Sequence, residues 1–166
     1  MITSAKLLVP GPPQGDQAAI VAAISEVKIQ SSARNPTGAG FVPMDFGRLK
    51  VGGDLDLQLF GFDRDQVQIV GEAVAPGIVG ALAVVSANDM LDPSAALASL
   101  ADLDSIGAPT VVVGPSDFEP TLLADKMLVA ESEVFQYDTI DRKVVKAMVL
   151  KVLEVALEAR ALSSTG

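Results

Sequence analysis

Two continuous apolar runs, Ile78–Val85 and Thr110–Val113, bracket a stretch with helical spacing, and that succession leaves few folds open. Runs without polar alternation suit parallel strands covered on both faces, and parallel neighbours need a crossover element between them. The intervening stretch supplies it. Asp92 is placed as an N-cap, Pro93 in the first turn, Leu97, Leu100, Leu103 and Ile106 on one face, and Gly107 as the stop. Similar alternation runs along the rest of the chain. Lys6–Val9 reads as a short strand, Asp16–Val27 as a helix and Ser31–Gly40 as a loop. Phe41–Val51 and Leu55–Phe60 read as strands joined at Gly52-Gly53, with a helix before the next strand. Leu55, Leu57 and Leu59 alternate with Asp56, Gln58 and Phe60, so one face of that second strand needs burying. Pro43 cannot donate a ladder hydrogen bond, which suits a sheet edge. A short helix around Glu119–Lys126, a strand near Val134–Gln136 and a long helix from about Asp141 to Leu162 complete the order, with 162–166 as a frayed tail. The expectation is one α/β domain over residues 1–166. Its six-stranded sheet is mostly parallel, with one antiparallel hairpin strand and helices on both faces.

Composition narrows the chemistry. With 49% apolar residues the chain can build a core, which excludes a disordered protein. It has no cysteine and no histidine, so disulfides, thiolate chemistry and the commonest general base are absent. Catalysis would rest on carboxylates, lysine, hydroxyls or a bound cofactor. A net charge of −9 argues against a nucleic-acid backbone as the main partner. The charge is uneven: Asp89 to Asp141 holds eleven acids and one base, whereas Arg142 to Arg160 holds five bases and two acids. The acidic stretch is either solvated surface or an electrostatic docking face. Residues 1–6 open into a strand without a signal-peptide pattern, and the apolar stretch Ala73–Ala87 is broken by Pro76, Gly77 and Gly80. The expectation is a soluble, cytoplasmic protein.

The segment Pro10-Gly11-Pro12-Pro13-Gln14-Gly15-Asp16-Gln17 falls between the first strand and the first helix. A phosphate loop, G-x-x-x-x-G-K-[ST], occupies that place in nucleotide-binding folds. Pro10 stands at the first glycine, Gly15 at the second, Asp16 at the lysine and Gln17 at the hydroxyl residue. The lysine and hydroxyl normally hold the β/γ-phosphates and Mg²⁺. An aspartate repels what the lysine attracts, and Pro10, Pro12 and Pro13 have no N–H to offer the phosphates. Asp16 has a structural use beside the helix dipole, or it belongs to a repurposed acidic site.

The element order, together with Met44-Asp45-Phe46-Gly47-Arg48, Leu59-Phe60-Gly61 and Tyr137–Arg142 followed by Val144–Leu157, resembles the Ras-like small GTPases. The likeness is to the bacterial branch with the gliding-motility GTPase MglA and the actinobacterial GTPases encoded beside Roadblock/LC7 proteins. It implies a Ras-like P-loop GTPase fold. The same comparison implies losses at each nucleotide motif. The switch I threonine position falls among Gly40, Phe41, Val42 and Pro43, none with a hydroxyl, and Thr37 lies several residues early. After Phe60-Gly61, Arg64 replaces the γ-phosphate-sensing glycine and Asp65 the water-positioning glutamine, with Gln66 one residue displaced. Of the guanine-reading motif only Asp117 is kept, either as a residual base contact or as a cap for the helix that follows.

Taken together, the residues point to a pseudo-GTPase. No catalytic residue, no metal and no bound nucleotide are expected, and the module is expected to engage a protein partner. The resemblance implies a Roadblock/LC7-type partner on the hairpin-and-switch region. The candidate contact residues are Phe41, Met44, Phe46, Arg48, Phe62 and Arg64, with Phe41 and Phe62 expected to be exposed; core packing is the alternative for each phenylalanine. The runner-up is a small GTPase with weak residual GTP/GDP and Mg²⁺ binding and little hydrolysis. A carboxylate enzyme built on Asp16, Asp63 or Asp65 is a third reading, without any ligand spacing to support it.

Overall fold

The six expected strands all form, and a seventh joins them at one edge. The computed structural model describes residues 3–24, 29–34 and 41–165. In chain order they build β1 (Thr3–Gly11), α1 (Gln17–Ile24), β2 (Ile29–Arg34), β3 (Phe41–Val51), β4 (Leu55–Asp63), α2 (Val67–Val74), β5 (Ile78–Val84), α3 (Ala87–Leu91), α4 (Ser94–Ser105), β6 (Thr110–Pro115), α5 (Pro120–Met127), β7 (Val134–Tyr137) and α6 (Arg142–Thr165). The sheet runs β2-β3-β4-β1-β5-β6-β7. β1 pairs in parallel with β4 and β5, and β5–β6 and β6–β7 are also parallel. β3 is antiparallel to β4 and to β2.

β2 corrects the loop expected from Ser31. Residues 31–34 pair with Met44 to Phe41, while 35–40 and the helix end expected at 25–27 lie outside the described residues. β3 is therefore not an edge strand. Pro43 is accommodated because β3 passes its last partner in β4 at Asp45↔Gly61, so Pro43 has a neighbour on one side only. At the other end of the hairpin Gly52 (φ 66°) and Gly53 (φ 86°) take the two left-handed positions of a tight turn, which glycine enters without steric cost. Helix α6 extends to Thr165.

Both sheet faces are covered. α1 and α6 close one face over Leu7, Val9, Leu57, Leu59, Val84 and Val113. α2 and α4 close the other over Leu8, Phe60, Phe62, Ala81 and Ala83, with Val67, Val70, Val74 and Leu103. A third cluster, around Val112, Leu123 and Met127, seats α5. Lys6 reaches from β1 to the C-terminal end of α2, donating to the carbonyls of Val74 and Pro76. A cation there meets the negative end of the helix dipole.

Three side chains expected at a partner surface are committed inside the fold. β4 continues to Asp63, so Phe62 points to the same face as Phe60 and is 3% exposed. Met44 is buried in the same cluster. Arg64 forms a two-pronged ion pair with Asp89, both contacts at 2.8 Å, and the two side chains are 11% and 3% exposed. Asp89 also accepts from the Ser86 backbone N–H, which fixes α3. Opening so buried a pair strands a charge, so Arg64 is a structural clamp. We expect Phe62→Ala to cost about 3–5 kcal/mol, the range for deleting a core aromatic. Urea unfolding measures it, and a loss below about 1 kcal/mol would return Phe62 to the surface.

Candidate functional site

β1 ends between β4 and β5, and the chain turns through residues 12–16 into α1. The turn thus lies outside the carboxyl ends of the parallel strands, where open α/β sheets place ligands. Its carbonyl at Pro12 accepts twice, from the Gly15 N–H at 2.9 Å and from Gln17 Nε2 at 2.8 Å. Gln14 adopts a left-handed backbone (φ 58°) to close the turn. The Gln17 side chain is buried, and its Oε1 has no hydrogen-bond partner. A Cβ on either Gly11 or Gly15 would collide with that Oε1. Both glycines therefore make room for the Gln17 carboxamide.

Asp16 stands at the start of α1, its carbonyl accepting from the Ile20 N–H at 2.9 Å. Its carboxylate accepts from the Tyr137 hydroxyl at 2.6 Å, joining the loop to the end of β7. Burial first, then the bond and the negative charge of Asp16, push the Tyr137 phenol far above its ordinary range. The sequence places Tyr137 in the last strand-and-loop segment, and its bond to Asp16 went unnoticed although a signal existed. It is the chain's one tyrosine, and a buried tyrosine hydroxyl needs a partner.

The other loops at this end are also held by internal bonds. Asp63 accepts weakly from the Asp65 N–H, and Gln66 Nε2 donates to Asp65 at 3.0 Å. Burial is the main cause raising the Asp63 carboxyl above its usual range, with the Asp65 charge adding to it. Ser116 donates its hydroxyl to Asp138 and its N–H to the Tyr137 carbonyl. Gln136 Nε2 donates to the carbonyls of Pro115 and Phe118. Asp117 is exposed. It does not cap the following helix, which opens on Glu119 and Pro120 with no side-chain cap. Thr37 and Gly40 lie outside the described residues. Among the described residues no group of three acids is arranged to hold a metal ion.

The structure thus brings Pro10, Gly15, Asp16 and Gln17 together around one turn and leaves Asp117 on a separate loop. On the hairpin, Phe46 is half-buried with its ring edge-on to Phe60 at 5.3 Å between centroids. Arg48 pairs with the buried Asp56 yet keeps 48% of its side-chain surface in water. Phe41 opens β3, and its side chain lies outside the described residues.

No family model matches the chain, and no curated protein matches it in sequence. In structure it is similar to the cytosolic domain of the T. maritima FeoB iron transporter. The GDP form gives a TM-score of 0.63 at 13% identity, covering 94% of this chain and 64% of that one. The GMPPNP form gives 0.53 at 14%, covering 92% and 64%. This chain therefore spans 64% of the length of these neighbours. Identity this low establishes architecture alone: the chain has the P-loop GTPase fold. No helix among the described residues is long and apolar enough to cross a membrane.

The Asp16–Tyr137 bond yields a pH prediction. The raised phenol keeps its proton in the native state after the unfolded chain has released it. This contribution is whole below about pH 10 and declines above it by about 1.4 kcal/mol per unit. Tyrosinate absorbance reads Tyr137 alone. The native protein should show no phenol titration near pH 10, where the urea-unfolded chain titrates, and Asp16→Asn should bring the native titration down. An ordinary titration in the native protein would contradict the bond.

Proposed function

We propose that this protein is a pseudo-GTPase, a nucleotide-independent interaction or regulatory module that keeps the GTPase fold without its phosphate chemistry. The observation that carries this reading is the Gln17 carboxamide, bonded to Pro12 and packed against Gly11 and Gly15. Two effects oppose a nucleotide here, and they differ in size. Lifting Gln17 away from Pro12 loses a neutral hydrogen bond worth about 0.5–1.5 kcal/mol. The missing lysine and the missing proline N–H groups forfeit charge-assisted bonds of about 1.5–3 kcal/mol each. The second deficit is larger, and the Asp16 carboxylate adds repulsion.

The partner reading rests on the resemblance to GTPases encoded beside Roadblock/LC7 proteins. The surface offered is the β3–β4 hairpin, through the half-buried Phe46, Arg48 and the exposed Lys50, with Phe41 kept as a candidate from the sequence. Residual GDP binding is the second reading. It is favoured by Asp117, which stands exposed without capping α5 and so stays free to meet a guanine edge.

Fluorescent GDP titration with Mg²⁺ tests these readings. No saturable binding is expected up to about 1 mM, for the wild type, for Asp16→Lys or for Asp16→Lys with Gln17→Ser, because the prolines remain. Micromolar binding by the wild type would remove the pseudo-GTPase reading. Recovery in Asp16→Lys alone would show that the amide cradle is intact.

A further inference from the structure

Along the body of α6, between the Asp141 cap and Arg160, charge falls in two blocks that oppose the helix dipole. Arg142, Lys143 and Lys146 occupy its opening turns, and Glu154 and Glu158 follow in its second half, all exposed. A helix dipole favours acids at the start and bases at the end. Spacing adds to the misfit, since Arg142–Lys146 and Glu154–Glu158 are like-charged pairs four residues apart. On the outer face Leu150 lies between the two charge blocks and Leu157 between the two glutamates, 55% and 65% exposed. The opposite face, with Val145, Met148, Val149 and Val152, is sealed against the sheet. Lys146 lies four residues before Leu150, and Glu154 four residues after it.

We propose that a second copy of this chain docks on that outer face, α6 against α6 in antiparallel sense, with the twofold axis at Leu150. In this register Leu150 meets the partner's Leu150. Lys146 meets the partner's Glu154, and Glu154 meets the partner's Lys146. The aliphatic stem of Lys143 lies along the partner's Leu157. An isologous interface needs a patch complementary to itself. A strip reading positive, apolar, negative is such a patch only when its copy is reversed. A parallel arrangement would set lysine on lysine and glutamate on glutamate. A foreign partner of one charge would satisfy half the strip and repel the other half. Residues spaced by four form a ridge that packs into the groove of a facing helix. A single helix pair falls at the low end of interface size, below about 1,200 Å², so the dimer is weak and depends on concentration. α6 packs on β5, β6 and β7, and its Leu157 lines a groove shared with Leu55 at the start of β4.

Sedimentation equilibrium of the full chain tests this with two charge reversals on exposed positions. Wild type should dimerise as concentration rises. Lys146→Glu and Glu154→Lys should each weaken self-association about tenfold or more, since each homodimer then sets like charges face to face. An equimolar mixture of the two variants should dimerise again, because Lys146→Glu chains present two acids to the two bases of Glu154→Lys chains. The double variant should behave as wild type. A wild type that stays monomeric at about 1 mM, reversals without effect, or a mixture no tighter than its components would each overturn the proposal.

Discussion

The carbonyl oxygen of Pro12 accepts from the Gly15 N–H and from the Gln17 carboxamide, and the geometry of the whole β1–α1 turn follows from that double bond. It draws the Gln17 side chain inward, where the absence of a Cβ on Gly11 and Gly15 leaves space for it. Glycines in such a loop are ordinarily valued for letting the backbone approach a phosphate. In this chain the same freedom admits a side chain of the protein itself. Asp16 then faces the end of β7 and closes the loop onto the last strand through Tyr137. The turn's backbone is held by these internal bonds. One acceptor remains without a partner, the Gln17 Oε1.

A second interlock stands where the sheet meets the neighbouring loop. Arg64 leaves the end of β4 and grips Asp89 on α3, a buried ion pair that ties the segment after β4 to the segment after β5. In a nucleotide-driven switch that segment must move. A guanidinium buried with its carboxylate holds it in one position, because separating them leaves a charge in an apolar setting. The two interlocks tie together, from within the fold, loops at the carboxyl ends of the parallel strands.

Much of this architecture was legible in the residues, for identifiable reasons. β5 and β6 announce themselves because strands covered on both faces must be continuously apolar. The hairpin follows from Gly52-Gly53. β2 was hidden: Ile29-Gln30-Ser31-Ser32-Ala33-Arg34 has no apolar alternation and is a strand through its pairing with β3. α3 is five residues long and depends on Asp89, held both by Ser86 and by a side chain from a distant loop. Phe62 was read as a loop residue because the end of β4 was placed three residues short. That Asp16 and not a lysine stands at the start of α1 was plain in the sequence. That Gln17 packs against Gly11 and Gly15 was not, since the sequence shows which residue is present and not which way it turns.

The central claim, that the loop is occupied by its own glutamine, can be read at one atom. Nuclear magnetic resonance of the Gln17 side-chain NH₂ reports it directly. The account predicts slow exchange with water, as befits a buried donor bonded to Pro12, and signals unmoved by GDP and Mg²⁺ at about 1 mM. Rapid exchange, with shifts that follow added GDP to saturation, would show an open loop and contradict the account.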